Sequence, residues 1–212
     1  MLVTINEADG WQSLPLAGAD VRYAASWLGG DEADALFERL LQEIPWERHR
    51  LSMFGREVDS PRLSCWIGDP GSTYTYSRSR FEPRPWTASL FPLRERVQAF
   101  CGACFNSVLA NLYRDGQDSM GWHSDDEPEL GARPVIASVS LGAERRFRLR
   151  RKAPRGQRVT PLGLPLAHGS LLCMAGDTQR YYQHDLPKVA GAMGARINLT
   201  FRFIHASPLD RR

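Results

Sequence analysis

No run of apolar residues in this chain of 212 is long enough to cross a bilayer, which takes about 20 in a row. The first ten residues, M-L-V-T-I-N-E-A-D-G, hold no basic stretch leading into an apolar core, so no signal peptide is expected. Cysteine is scarce, with four at positions 65, 101, 104 and 173. In a chain of this size without a leader, reduced thiols and a cytoplasmic location are the expectation. An excess of one charge is also missing: 27 Lys+Arg against 24 Asp+Glu leave a formal +3, which does not by itself point to nucleic acid. There is no internal repeat, low-complexity tract or interdomain linker.

What remains is an ordinary globular composition, 42% hydrophobic and 24% charged. A chain of this length buries roughly 70% of the surface exposed by its unfolded form. One domain, a monomer over 1–212, is the simpler reading: a helical and extended part (1–104) supports a β core (105–204). Asp31 reads as the N-cap of a helix in which Leu36, Phe37, Leu40, Leu41 and Ile44 recur at helical spacing until Pro45. After Pro92 a second helix puts Leu93, Val97, Phe100, Cys101 and Cys104 on one face, so its C-x-x-C reads as packing thiols rather than a zinc or redox pair. From Phe105 the pattern is short strands, at 105–113, 135–141, 146–150, 170–174 and 196–204, separated by Gly, Pro and Asp. The expected class is α+β, mainly β, with a sandwich or jelly-roll core.

The stretch N-L-Y-R-D-G-Q-D-S-M-G-W-H-S-D ends in His123 and Asp125. Two residues apart on extended backbone, they point the same way and can hold one edge of a divalent metal. A second histidine would complete a 2-His-1-carboxylate face with three open positions, which suits non-haem Fe(II) oxygen chemistry. His184, in R-Y-Y-Q-H-D-L-P, is the candidate partner. His168 reads as a turn residue or one behind the site, His49 is a poor ligand between two arginines, and His205 is solvated. On spacing alone a lone histidine is more often structural than a ligand.

The ending, R-I-N-L-T-F-R-F-I, strengthens the metal reading. Ile197, Leu199, Phe201 and Phe203 alternate with Arg196, Asn198, Thr200 and Arg202. Two arginines on one strand face point either to a solvated sheet or to a polar cavity in which each guanidinium takes one end of a short dicarboxylate. Asn111 and Tyr113 share the i, i+2 geometry on another strand and could add an amide and a phenol donor.

Together these segments resemble the AlkB family of 2-oxoglutarate-dependent nucleic-acid demethylases. The matching pieces are N-x-Y, H-x-D with its acidic tail, I-A-S-V-S-L-G, H-G-S-L-L, the distal His and R-x-N-L-T-F-R, in order from about Met53 to Ile204. The resemblance is closest to a subgroup carrying M-F-G, P-R-L, Y-T-Y-S and P-x-P-W, here at 53–55, 61–63, 74–77 and 83–86. It implies a double-stranded β-helix (jelly-roll) core with a nucleotide-recognition extension. It also implies Fe(II) on His123, Asp125 and His184, with 2-oxoglutarate and O2 as co-substrates. Arg196, Asn111 and Tyr113 would grip the distal carboxylate, and Arg202 with Asn198 the metal-chelating end. The implied reaction removes N-methyl groups from DNA, with RNA as an alternative, and releases formaldehyde, succinate and CO2.

For the substrate, a base inside a duplex must be flipped out or taken from a single strand. The resemblance places Tyr76 against the flipped base, with Tyr74 and Ser77 beside it. Glu127 would lie at the base edge, favouring cationic 1-methyladenine or 3-methylcytosine, and Phe54 on a finger that fills the gap. The densest basic run, E-R-R-F-R-L-R-R-K-A-P-R-G-Q-R at 144–158, puts Arg146, Arg148 and Arg150 opposite Phe147 and Leu149 and continues through Arg151 and Lys152. Near a nucleotide site it reads as a phosphate-binding loop. Two other readings stand beside this one: an oxygenase acting on a protein, lipid or small molecule, and a catalytically silent nucleic-acid-binding module.

Overall fold

The computed structural model describes residues 5–6, 10–53, 56–76, 79–154 and 156–205, with backbone alone at 5–6, 50–53, 56–58, 74–76 and 79–81. The chain begins with β1 (Ile5–Asn6), β2 (Trp11–Ser13) and β3 (Asp20–Ala24), followed by α1 (Gly30–Glu43). Two small hairpins, β4 (Arg50–Met53) with β5 (Arg56–Asp59) and β7 (Tyr74–Tyr76) with β8 (Ser79–Phe81), flank the longer β6 (Leu63–Gly68). After α2 (Leu90–Cys101) come β9 (Ser107–Tyr113), β10 (Met120–His123), β11 (Ile136–Gly142), β12 (Arg145–Arg151), β13 (Leu162–Leu166) and β14 (Ser170–Ala175). A single helical turn, α3 (Thr178–Tyr181), leads into β15 (Tyr182–Leu186), and β16 (Arg196–Arg202) closes the chain.

These strands form two antiparallel sheets. The larger runs β1-β2-β3-β14-β11-β16-β9-β6, and the smaller runs β10-β15-β12-β13. The larger sheet crosses residue 104, because β3 pairs with β14 and β6 with β9. One face is apolar throughout, and the other is apolar toward one end and polar where Asn111, Ser138, Arg196, Asn198 and Arg202 gather. Leu36 and Leu40 of α1, with Leu93 and Val97 of α2, cover one face over Val139, Leu171, Ile197, Leu199 and Phe201. The other face packs Tyr23, Tyr113, Leu172 and Met174 against Phe147, Leu149, Leu164 and Leu186 of the smaller sheet. This is a β-sandwich of the jelly-roll kind, with helices stacked outside the larger sheet.

Local chemistry explains where the elements depart from expectation. α1 starts at Gly30 with Gly29 in the N-cap position and no side-chain cap, so Asp31 sits in the first turn, where it favours the helix dipole. α2 starts at Leu90, two residues before Pro92; this is tolerated because first-turn N–H groups have no helical acceptor. Gly102, at φ 65, ends that helix in the left-handed conformation, its N–H donating to the Gln98 carbonyl. The turn sends Cys104 to the surface while Cys101 stays buried, so the two thiols do not share a face. β16 stops at Arg202, which leaves Phe203 41% exposed beside the His205 ring rather than in the core.

Candidate functional site

The smaller sheet builds the first half of the site by register. β10 and β15 pair with a shift between Met120 and His123, and that shift sets His123 directly opposite His184. Their rings meet edge to face with centroids 4.2 Å apart. Asp125 lies just past the end of β10. Its N–H donates to Gln179 Oε1 at 3.0 Å, and the neighbouring Ser124 hydroxyl donates to the Tyr182 carbonyl at 2.8 Å. The donor atoms of His123, Asp125 and His184 all lie within 4.8 Å of one another.

Each of the three is set up to act as a ligand. His123 Nδ1 lies 2.8 Å from the Gly121 carbonyl, a contact that only an N–H can satisfy. Nε2 is thereby turned toward the cluster, 3.8 Å from Asp125 Oδ1. Burial alone would raise the Asp125 pKa, but Arg202, His184 and His123 outweigh it and hold the carboxyl down at about 2. Burial, reinforced by His123, pushes the His184 pKa down to about 3, so its imidazole is neutral at physiological pH. A carboxylate and two imidazoles at this spacing match a divalent first-row metal, whose ligand atoms lie about 2 Å from it.

The larger sheet supplies the second half. Arg196, Asn198, Thr200 and Arg202 line the same cavity as the three ligands, together with Asn111 and Tyr113 of β9. Arg202 Nη2 donates to Asp125 Oδ1 at 2.9 Å, in an ion pair whose side chains are about 5% and 4% exposed. Arg202 is thus bonded to a metal ligand as well as facing the cavity. Arg196 differs. Its Nη2 donates to Ser140 Oγ at 2.9 Å, and its guanidinium lies 5.3 Å from the Tyr113 ring centre. Its Nε is buried without a hydrogen-bond partner, and among the described residues no carboxylate pairs with it. Burial lowers its pKa to about 10, which still leaves it charged at pH 7. A buried, uncompensated cation at the inner end of a cavity is an anion site.

The amides on this face are partly committed. Asn198 donates to Ser138 Oγ at 2.6 Å and to the Val139 carbonyl at 3.2 Å. Asn111 Oδ1 accepts from Arg62 Nε at 2.7 Å. Arg62, buried at the start of β6, was not singled out from sequence. A lone Arg between Pro61 and Leu63 belongs to no alternation, and only the β6–β9 pairing brings it beside Asn111. Gln179 was missed for a similar reason, since α3 is a single turn with no period to read.

The expected substrate residues are spread more widely. Phe54 and Ser77 lie outside the described residues. Tyr74 and Tyr76 fall on β7, paired with Phe81 and Ser79, as backbone. Glu127 sits two residues past Asp125, ahead of the 3-10 turn Pro128–Leu130, and does not line the cavity.

The basic run is not one uniform phosphate loop. Arg148 is paired with Asp185, its Nε donating at 2.8 Å. Arg151 donates to the Ala17 carbonyl at 2.8 Å and lies over the Tyr181 ring. Lys152 reaches Asp126 at 3.0 Å and the Gln179 carbonyl at 2.9 Å, tying the run to the loop that carries Asp125. Arg150 pairs with no carboxylate among the described residues. It donates to Gln183 Oε1 at 3.0 Å, lies 4.1 Å from the Trp122 ring centre, and lines an open groove of about 570 Å³ with Arg158.

Residues 20–202 match the 2OG-Fe(II) oxygenase superfamily. Human DNA oxidative demethylase ALKBH2 is 41% identical over 201 residues, covering 92% of this chain and 77% of its own. The chain belongs to the AlkB family of 2OG-Fe(II) oxygenases. Its AlkB-family relatives also include the rat alpha-ketoglutarate-dependent dioxygenase alkB homolog 3, 44% identical over 183 residues and 84% of this chain. The chain spans about three-fifths of that protein's length. The solved structure of OsALKBH1 shares the fold at 18% identity, with a TM-score of 0.61 over 91% of this chain and 99% of that one. The cofactors of the family are Fe(II), 2-oxoglutarate and O2, and the His123–Asp125–His184 cluster fits the iron among them.

Proposed function

We propose that this AlkB-family chain removes N-methyl groups oxidatively from bases in DNA, of the 1-methyladenine and 3-methylcytosine type, using Fe(II), O2 and 2-oxoglutarate. One observation carries the co-substrate part of this reading: Arg196 is a buried cation without a carboxylate partner, among the described residues, in the cavity that holds His123, Asp125 and His184. A dicarboxylate reaching from that arginine to the metal face would supply the missing negative charge. The nucleic-acid part is supported by the relatives' names and by Arg150 beside its open groove.

The roles of the side chains follow from their surroundings. His123, Asp125 and His184 would hold the metal, which when bound supplies the O2 chemistry that turns a methyl into a hydroxymethyl group. Arg196 binds the far carboxylate of 2-oxoglutarate and Tyr113 orients it. Arg202 keeps Asp125 ionised and fixes its rotamer. Leu109, Met120 and Leu186, which line the cavity, limit water around the reacting methyl group. The hydroxymethylated base then breaks its C–N bond, the hydroxyl proton passing to the base nitrogen as formaldehyde leaves. Four unbridged cysteines agree with a reducing, cytoplasmic setting, and we propose a monomer.

The test is formaldehyde release from an oligonucleotide bearing 3-methylcytosine, in single- and double-stranded form, with Fe(II), ascorbate and 2-oxoglutarate. Release that stops when 2-oxoglutarate is omitted supports the demethylase. Succinate without formaldehyde would keep the oxygenase and reject the substrate. RNA carrying the same lesion decides between the two nucleic acids.

A further inference from the structure

The sandwich contains a further buried arginine that does not line the cavity of the proposed co-substrate site. Arg145, 2% exposed, opens β12 and donates to three backbone carbonyls: Asp115 at 3.1 Å, Asp118 at 2.9 Å and Pro187 at 2.7 Å. Asp115 and Asp118 lie on the loop between Tyr113 and β10, and Pro187 follows β15. One guanidinium therefore joins the segment between Tyr113 and His123 to the end of the strand carrying His184. Such a three-way contact uses the fixed fork of an arginine, which a lysine cannot reproduce.

Arg145 also packs on the ring that faces the cavity. Its guanidinium carbon lies 5.8 Å from the Tyr113 ring centre, and that of Arg196 lies 5.3 Å from the same ring. Tyr113 cannot swing without giving up both cation–π contacts, which are strongest where water is excluded. Neither arginine has a carboxylate partner among the described residues, and the Nε of each is buried without a hydrogen bond. Asp118 hydrogen-bonds Arg145 only through its backbone carbonyl, because both its carboxylate oxygens accept from Arg114 at 2.8 Å, while the Asp115 and Asp118 charges support Arg145 at longer range. Two cations held on one ring that faces the cavity favour an anion bound next to it.

We propose that Arg145 is a positioning residue for the dicarboxylate co-substrate. It fixes the Tyr113 ring and the loop behind it, so that Tyr113 and Arg196 present a preformed seat for the carboxylate farthest from the metal. This rests on the 2-oxoglutarate reading above. Arg145 lines no part of the cavity, so it acts through Tyr113.

The experiment measures 2-oxoglutarate binding by calorimetry to the Mn(II)-loaded full chain. The proteins compared are wild type, Arg145→Met, Arg145→Lys, Tyr113→Phe, and Arg145→Lys combined with Tyr113→Phe. Mn(II) affinity and thermal midpoint are recorded for each. Arg145→Met should weaken 2-oxoglutarate at least tenfold and Arg145→Lys several-fold, with Mn(II) affinity within twofold of wild type. In turnover the loss should appear in KM for 2-oxoglutarate, with kcat at saturation within threefold. In the Tyr113→Phe background, Arg145→Lys should add little, because the hydroxyl that the positioned ring presents to the carboxylate is gone. A folded Arg145→Lys protein that binds 2-oxoglutarate within twofold of wild type overturns the proposal, even if Arg145→Met fails to fold. So does a loss of equal size in both backgrounds, or a parallel loss of Mn(II) affinity, since each marks a general structural role. Wild type that binds Mn(II) but no 2-oxoglutarate overturns the co-substrate reading itself, and this inference with it.

Discussion

Asp125 has two claims on its carboxylate: Arg202 at 2.9 Å and the metal its ligand set fits. Replacing Arg202 with Met removes the first claim and keeps much of the side chain's volume. Burial would then act on Asp125 with only the two histidines opposing it, so its pKa must rise. In wild type the carboxyl is held at about 2, below an unfolded value of about 3.9. A depressed carboxyl pKa contributes stability above the unfolded value, here roughly 2–3 kcal/mol, and that contribution is lost as pH falls through the folded pKa. The Arg202→Met protein loses this contribution at neutral pH and also keeps an unpaired buried charge. The expected destabilisation of the metal-free form is therefore about 3–5 kcal/mol.

Urea unfolding of chelator-treated protein measures that loss. The gap between wild type and Arg202→Met should be widest near neutral pH and should narrow on acidification, as the variant's Asp125 takes up a proton at a higher pH than the wild-type group. Saturating Mn(II) gives Asp125 its second partner, so the gap should shrink by more than about 1 kcal/mol when the metal is present. A gap that ignores both pH and Mn(II) would refute the reasoning, because Arg202 would then be packing the core rather than compensating Asp125.

Four further outcomes are expected. Asp125→Asn should abolish 2-oxoglutarate-dependent turnover while near-UV circular dichroism shows the fold retained; residual activity above about 1% of wild type would remove the metal assignment. The His184 pKa of about 3 lies below the unfolded value of about 6.5, so the unfolded state binds the extra proton between them. Metal-free protein should therefore lose up to about 1.4 kcal/mol per pH unit on acidification below about 6.5, and His184→Gln should flatten that slope in urea titrations. Arg150→Ala should weaken oligonucleotide binding and lower the salt slope by about one, whereas Arg148→Ala should leave the slope unchanged and instead lower the melting point, because Asp185 loses its partner. Gly142→Ala should cost about 2 kcal/mol or more in thermal stability, because at φ 85 its new Cβ would sit 2.4 Å from the Ala195 carbonyl oxygen and 2.8 Å from Phe37.

Alternation made half of this site legible from the residues alone. In R-I-N-L-T-F-R the period of two separates Ile197, Leu199 and Phe201 from Arg196, Asn198, Thr200 and Arg202, and the sheet keeps that separation, with helices on one side and the cavity on the other. Pairing was not legible. Nothing local in M-G-W-H or Y-Q-H-D-L says that a register shift will set His123 opposite His184, because register depends on both strands and on the turns that bring them together. Motif resemblance filled that gap for the metal ligands. It did not do so for Arg62 or Gln179, which are tied to the site only by hydrogen bonds from β6 and α3.

Arg145 is the instructive case, because its signal was present and easy to overlook. In R-R-F-R-L-R-R the arginines at 146, 148 and 150 fall opposite Phe147 and Leu149, and charge density draws the eye to a phosphate surface. Arg145 is in phase with Phe147 and Leu149, so the same alternation that turns its neighbours outward turns it into the sandwich, where it is almost wholly buried. A charged residue in phase with core positions must find compensation inside the protein. Here it finds three carbonyls, the nearby charges of Asp115 and Asp118, and the ring of Tyr113, through which it reaches the proposed co-substrate seat.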